Sequence, residues 1–303
     1  GLASLWPEFI LQEICLVIEP SLLSLTEPHR TNVCIGALAA VGRKLTVLPA
    51  TEGLPILSSL MASVIPGIDS NDTMKTINTL SFFSTLFTIL PATHTTDDLL
   101  GDMESFVLMF VEQSCNFLGT LGRSSDKDVA EAGVLQLFYN TWDVFFMQLS
   151  PGLLDLAFDR IWRWVKAEAT VFSAKPSAIL LAKPVLCQPE KYLRLVLPWV
   201  LESLAPYCTA DFKSHVQQDS PIESFSKPII YLSCLHRTIQ AGARCLSIDQ
   251  MDTLVQVLID LSDLNHFELS AIVGKCFKSL IKGMCGCYPT NWSSWNPEDE
   301  PSV

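Results

Sequence analysis

Histidine is scarce in this sequence, and the patterns that usually mark catalytic or metal sites are missing. The 303 residues include only five histidines, and none belongs to an H-E-x-x-H helix or to a Cys/His zinc pattern. No Gly-rich phosphate loop is present, and no cysteine lies in a recognisable nucleophile motif. We therefore expect no enzyme activity, no catalytic or metal-binding residue and no cofactor. The alternative is a helical enzyme in which folding brings a Cys and a His together.

Positive charge is also in short supply. The chain has 20 Lys and Arg residues against 32 Asp and Glu residues, and its formal net charge is −12. Nucleic-acid binding needs clustered Lys and Arg to neutralise phosphates, so the composition argues against it. Pro, Ser, Thr or charged residues break every apolar run before it reaches the roughly 20 residues that span a bilayer. No signal-peptide pattern opens the chain, and we expect a soluble protein without a membrane partner.

The cysteines lie mostly within apolar helical patterns, where a reduced thiol behaves as a small core residue. Only Cys285 and Cys287 are closely spaced, and a C-x-C pair without a second pair or a nearby His is a weak metal signal. We expect free thiols and a reducing compartment. The ten cysteines are Cys15, Cys34, Cys115, Cys187, Cys208, Cys234, Cys245, Cys276, Cys285 and Cys287.

Apolar residues make up 49% of the chain, and they recur at the spacings of three and four that indicate helices. Strand-like alternation is scarce. Helical pairs with apolar surface on two sides bury it by stacking on their neighbours. The prediction is therefore an all-α fold of the HEAT/armadillo-like helical-repeat class, a solenoid or α-α superhelix. The predicted helices are residues 3–18, 30–47, 51–65, 71–90, 98–120, 126–149, 152–172, 175–187, 190–205, 225–242, 248–263 and 266–284.

Two stretches interrupt the predicted array of helices. We predict HEAT-like helical repeats over residues 1–208, a polar loop or linker over 209–224, further helical repeats over 225–287, and an irregular tail rich in Trp and Pro over 288–303. The first predicted helix is apolar and does not resemble a polar capping repeat. We therefore expect more repeats before Gly1 in the intact protein.

Residues 54–91 form the clearest predicted hairpin of helices. The first arm stops at Pro66, and a polar turn leads into the second arm. Asn71 or Asp69 is predicted to cap the second helix, and Asp72 places negative charge at its positive end. The apolar residues of the second arm cover more than one stripe, so we expect this helix to be buried between neighbours.

The turn of this hairpin also carries a family resemblance. The string Pro66-Gly67-Ile68-Asp69, Asn71-Asp72, then Lys75-Thr76 and an aromatic helix up to Pro91, resembles a segment of the large proteasome activators of the PA200/Blm10 family. Upstream, Glu27-Pro28-His29-Arg30 resembles the family's turn at the preceding repeat. Downstream, Pro189-Glu190-Lys191 followed by Leu197-Pro198 resembles a later helix start. The resemblance covers residues 20–200 in patches.

The resemblance implies a dome that closes over the end of the 20S proteasome and contacts its α-subunit ring. It also implies partial gate opening and ATP-independent degradation of peptides and of unfolded or acetylated proteins. Acetylated histones as partners, a role in DNA repair and a location in nucleus and cytoplasm follow from the same resemblance. The alternative is another helical-repeat scaffold, such as an importin-β-like transport receptor, for which an acidic surface would suit basic cargo.

One feature departs from the family pattern. Family members use a C-terminal tail with a penultimate Tyr to enter a pocket between α subunits, whereas this chain ends in Pro301-Ser302-Val303. We expect that tail to lie beyond the present chain.

Basic residues concentrate in two places. The first basic cluster consists of Arg160, Arg163, Lys166, Lys175 and Lys183, and the second basic cluster consists of Lys275, Lys278 and Lys282. One interpretation is a solvated helix face whose long side chains cover apolar neighbours. The other is an anion site. The resembled family binds highly phosphorylated inositols, so the resemblance implies a polyanion contact here, with an inositol polyphosphate as a structural ligand of the intact protein.

Overall fold

The computed structural model describes residues 32–37, 61–89, 103–122, 129–209, 225–264 and 266–284, together with residues 13, 16, 17, 20, 29 and 212. All regular secondary structure in these ranges is helical, which confirms the predicted all-α, HEAT-like fold. The α-helices are α1 (Thr73–Ile89), α2 (Met103–Gly119), α3 (Val129–Gln148), α4 (Pro151–Ala167), α5 (Ala174–Cys187), α6 (Pro189–Leu204), α7 (Ser226–Gly242), α8 (Ile248–Ser262) and α9 (Phe267–Met284).

Shorter helical pieces add to this set. The segments Ile65–Gly67, Ala205–Cys208 and Ala243–Cys245 are 3-10 helices, and residues 32–37 and 61–64 are also helical. Most of the predicted helix 3–18 and large parts of the predicted helices 30–47 and 51–65 lie outside the described residues.

Local sequence signals explain where several helices begin. Pro151 is the first residue of α4 and Pro189 the first of α6, positions at which the missing proline N–H costs no helical hydrogen bond. Helix α8 begins with a capping box. The Ser247 hydroxyl accepts from the Gln250 N–H at 3.3 Å, and the Gln250 side chain accepts from the Ser247 N–H at 2.9 Å. This exchange satisfies two backbone donors that the helix itself leaves without partners.

Packing divides the chain into two units, Gly1–Cys187 and Gln188–Val303. The first unit ends with α5, and the second begins at α6. The predicted segments 1–208, 209–224, 225–287 and 288–303 stay predictions. Most of the predicted linker 209–224 and all of the predicted tail 288–303 lie outside the described residues.

The first unit is built in two layers. Helix α1 packs on α3 and α3 packs on α5, while α2 packs on α4 in the other layer. The layers meet at aromatic side chains from α1, α2 and α3, with ring centroids 4.7 to 6.2 Å apart, namely Phe83, Phe87, Phe106, Phe110 and Phe145. Burial of such large rings is the main stabilising term for this unit. The buried Trp142 indole N–H donates to the Ser114 hydroxyl at 3.2 Å, so its polar atom is also satisfied.

The second unit is organised around α7. Helix α7 packs on α6 and on α9, and α9 packs on α8. Gly242 allows α7 to approach α6 closely, because a Cβ atom at this residue would lie 2.8 Å from Leu193 Cδ1. Gly283 has the same role in α9, where a Cβ atom would lie 2.2 Å from Ala243 Cβ. Two glycines thus set the spacing of this helical stack.

Candidate functional site

The turn that carries the family resemblance is held by a dense set of local hydrogen bonds. The Asp69 N–H donates to Thr76 Oγ1 at 2.9 Å, and the Thr76 hydroxyl donates to the Asp69 carbonyl at 2.7 Å. The Asp69 carboxylate accepts from the Asn71 N–H at 2.9 Å, an Asx-type turn. Lys75 Nζ lies 3.7 Å from the same carboxylate. The residues of the unusual string therefore hold one defined backbone path into α1.

The cap of α1 differs from the prediction. Asp72, which immediately precedes α1, accepts a hydrogen bond from the Lys75 N–H at 2.9 Å, so it occupies the capping position. The predicted caps, Asn71 and Asp69, were wrong because the Asp69 carboxylate is used inside the turn. The expected negative charge at the start of the helix is present at Asp72.

Contacts with α2 and α1 fix the turn from the other side. The Gln113 side chain of α2 donates to the Ile68 carbonyl at 2.7 Å, and a Cβ atom on Gly67 would lie 2.2 Å from Thr79 Oγ1 of α1. A shallow cavity of about 300 Å³ lies between the turn and α2. It is lined by Pro66, Ile68, Asp69, Ser70, Gln113, Asn116, Phe117 and Thr120. No candidate residue was predicted here, because the contact joins positions about 45 residues apart.

The first basic cluster is largely paired with acidic residues. Arg160 of α4 donates to the Glu112 carboxylate of α2 at 3.0 Å. Arg163 pairs with Asp159 one turn earlier on α4, and Lys183 of α5 pairs with Asp143 of α3. These pairs lower the net positive charge of the surface and direct Arg160 and Lys183 towards different layers of the unit.

The two remaining members of the first basic cluster lie at the surface. Lys166 places its ammonium 4.1 Å from the centroid of the Trp162 ring, a cation–π contact. Lys175 is exposed near the start of α5. The polyanion contact at this cluster stays a prediction.

The second basic cluster has a different environment. Lys275, Lys278 and Lys282 are all exposed on α9, and none of them takes part in an ion pair with another residue that the structure describes. The charge of Lys275 influences His236 on the neighbouring helix α7. Burial, followed by the charges of Arg237 and Lys275, lowers the pKa of His236 from 6.5 to about 4, which keeps this imidazole neutral at pH 7.

Thiols are the other reactive groups that the structure describes. Burial raises the pKa of three cysteines to about 12, which keeps them as thiols at neutral pH; they are Cys115, Cys234 and Cys276. Burial also raises the pKa of Cys187. In the same ranges, no group of three or more His, Cys, Asp or Glu side chains is arranged to hold a metal ion. The helices described are too short or too polar to cross a membrane.

Comparison with known proteins agrees with the resemblance of the turn. Residues 1–128 match the family described as proteasome activator complex subunit 4, mid HEAT repeats region. Proteasome activator complex subunit 4 of Homo sapiens is 21% identical, and the similarity covers 97% of this chain and 17% of the human protein. The Bos taurus protein of the same name is 23% identical with the same coverage.

A fish relative shows similarity over a shorter part of the chain. Proteasome activator complex subunit 4A of Danio rerio is 23% identical over 65% of this chain and 12% of its own length. The chain thus spans 12% to 17% of the length of these relatives. The matched region, the relatives' names and the helical-repeat fold all agree with the resemblance of this chain to the PA200/Blm10 family of proteasome activators.

Proposed function

We propose that this chain is a section of a large proteasome activator that caps the 20S core particle at its α ring. In this role it partly opens the gate and promotes ATP-independent degradation of peptides and of unfolded or acetylated proteins. The observation that carries the proposal is the similarity to proteasome activator complex subunit 4 over 97% of the chain.

The architecture suits a function that depends on binding. Helices α1, α2 and α3 bury an aromatic core between the two layers of the first unit. A stack of helical pairs offers a long surface whose shape each neighbouring pair helps to set. Attachment of such a surface to the α ring can favour the open gate simply by binding the open state more tightly. This mechanism requires no nucleophile or metal.

The direct test uses the full-length protein and purified 20S proteasomes. We expect a complex on native gels and faster hydrolysis of a fluorogenic peptide in the absence of ATP. A proteasome inhibitor should abolish the added hydrolysis, which separates activation from a contaminating peptidase. A protein that leaves 20S particles free and peptide hydrolysis unchanged would contradict the proposal. Binding to a small GTPase instead would indicate the importin-β-like alternative.

The proposal extends to acetylated histones as substrates and to a location in nucleus and cytoplasm. Its support is the family resemblance described above. In a reconstituted complex, we expect acetylated histones to be degraded faster than the unmodified proteins. Equal degradation rates for both forms would remove acetylated histones from the proposed substrates while leaving peptide hydrolysis unaffected.

A further inference from the structure

Helix α8 carries two apolar stripes, and only one of them is buried. Leu254, Leu258 and Leu261 form the inner stripe, and all three side chains are completely buried. Helix α8 packs on α9 and on the 3-10 helix Ala205–Cys208. The inner stripe therefore accounts for the attachment of α8 to its own unit.

The outer stripe of α8 consists of Ile248, Met251, Val255 and Ile259. Their spacings of three and four residues place them on one side of the helix, and no polar position of α8 lies between them. The stripe is thus continuous over about 16 Å at 1.5 Å per residue. Ile248 is 77% exposed and Ile259 is 44% exposed, and Met251 and Val255 are partly exposed. The residues that the structure describes leave this apolar surface open.

A row of aspartates borders the outer stripe. Asp252 and Asp263 lie nearest to it around the helix, and Asp249 and Asp260 lie further round on the same side. Helix α8 contains no Lys or Arg. Helix stability alone does not explain the row, because Asp260 and Asp263 lie at the C-terminal end of α8, where the helix dipole disfavours negative charge. The row therefore favours a partner that brings positive charge to the stripe.

The two features together specify the chemistry of that partner. A helix with apolar residues at i, i+3 or i+4 and i+7 can pack along the outer stripe, and Lys or Arg on one flank can face the aspartates. A second copy of α8 cannot supply that flank, because it has no basic residue. The whole chain has only 20 Lys and Arg against 32 Asp and Glu, so another protein is the better source. We propose that the outer stripe of α8 docks a basic amphipathic helix of a partner protein.

This contact is separate from the proposed attachment to the α ring and does not depend on it. Four aliphatic side chains give a small interface, of the kind found in transient complexes. The docking should therefore be weak and reversible. It should also weaken as the salt concentration rises, because salt screens exposed charges.

Binding of a designed peptide to the full-length protein tests the docking site. The probe, the Arg peptide, is a helical peptide of roughly 18 residues, or five turns, with Leu along one stripe and Arg along one flank. Its control, the Glu peptide, has Glu in place of each Arg. We expect fluorescence anisotropy to show binding of the Arg peptide alone. Binding of neither peptide, or equal binding of both, would overturn the proposal.

Charge reversal on the protein tests the role of the aspartates. The D252K/D263K variant should bind the Arg peptide about 3- to 30-fold more weakly, because exposed ion pairs are replaced by repulsion, and it should gain binding to the Glu peptide. The matched control is E168K/E202K, which makes the same change in net charge at exposed residues after α4 and on α6. This control should keep the parent affinity. An equal loss in both variants would indicate non-specific attraction to an acidic protein and contradict the proposal.

A second pair of variants tests the apolar stripe. The I248A/I259A variant should bind the Arg peptide at least about fivefold more weakly. The M147A/L186A variant, at residues 74% and 54% exposed on α3 and α5, should bind it as the parent does. Far-UV circular dichroism checks that every variant keeps its helices. A photo-crosslinker at one Leu of the peptide should label α8, and labelling confined to other helices would refute the proposed site.

Discussion

Replacing Gly67 by Ala tests how the turn before α1 is built. The new Cβ atom would lie 2.2 Å from Thr79 Oγ1 and 3.3 Å from Thr79 Cβ. Thr79 is completely buried in α1, where its hydroxyl has no hydrogen-bond partner among the described residues and its branched side chain has few accessible rotamers. Rotating the hydroxyl away relieves the shorter contact but leaves the contact to Cβ, so the turn has to shift.

The expected cost follows from two opposing effects. Inserting a methyl group into a packed site lowers the free energy of unfolding by about 1 to 3 kcal/mol. Gly→Ala also reduces the conformational entropy of the unfolded chain, which raises the free energy of unfolding by about 0.4 to 1 kcal/mol. We expect Gly67→Ala to lower the free energy of unfolding by about 1 to 2 kcal/mol. In a Thr79→Ala background Oγ1 is absent and only the 3.3 Å contact to Cβ remains, so the same substitution should cost less, under about 1 kcal/mol.

Urea unfolding followed by far-UV circular dichroism measures this cycle, and hydrogen exchange of the α1 amides locates the effect. Gly133→Ala on α3 is the control. A Cβ atom there meets nothing within 4 Å, so this variant should gain up to about 1 kcal/mol from helix propensity. Two results would refute the reasoning, namely a Gly67→Ala variant as stable as the parent, or an equal loss in both backgrounds.

Three further predictions concern the second unit and the thiols. Gly242→Ala should lower the melting temperature, because its Cβ atom would press on the buried Leu193, and overpacking costs about 1 to 3 kcal/mol. A thiol reagent at pH 8 should label the exposed Cys245 in the native protein, but should reach the buried thiols only on unfolding; these are Cys115, Cys234 and Cys276. Since the folded state lowers the pKa of His236 from 6.5 to about 4, its contribution to stability is complete above pH 6.5 and is lost as the pH falls towards 4.

Each of these predictions has an internal control. Gly274→Ala on α9, where a Cβ atom has open space, should not lower the melting temperature as Gly242→Ala does. Mass spectrometry of peptides distinguishes the labelled cysteines, and fast native labelling of Cys234 would contradict the described burial. The melting temperature of His236→Gln should fall less between pH 7 and pH 5 than that of the parent chain. An identical fall in both proteins would exclude His236 as the titrating group.

Helix positions could be predicted well because they depend on local signals. The spacing of apolar residues and the flanking turn residues predicted helices at 71–90, 225–242 and 266–284, and the structure has Thr73–Ile89, Ser226–Gly242 and Phe267–Met284. The family resemblance could also be recognised from the amino-acid sequence of the turn before α1. Its residues satisfy hydrogen bonds within a few positions of one another, so the string itself specifies the backbone path.

The candidate site was harder to predict because it depends on distant residues. Helical spacing grouped Arg160 with other basic residues, but its partner Glu112 lies 48 positions away. Lys183 likewise pairs with Asp143 across 40 positions. Periodicity along one helix contains no information about which acidic side chain a neighbouring helix supplies. The predicted cap of α1 was wrong for a local reason, since the Asp69 carboxylate already accepts a hydrogen bond from the Asn71 N–H.

The alternation of layers in the first unit restricts how a chain of this kind can grow. Among the described helices, α1, α3 and α5 form one layer and α2 and α4 form the other. Adding or removing one helix would move all later helices into the opposite layer. Their apolar faces would then be exposed to water. We therefore expect insertions and deletions that preserve this packing to change the stack by whole helical pairs.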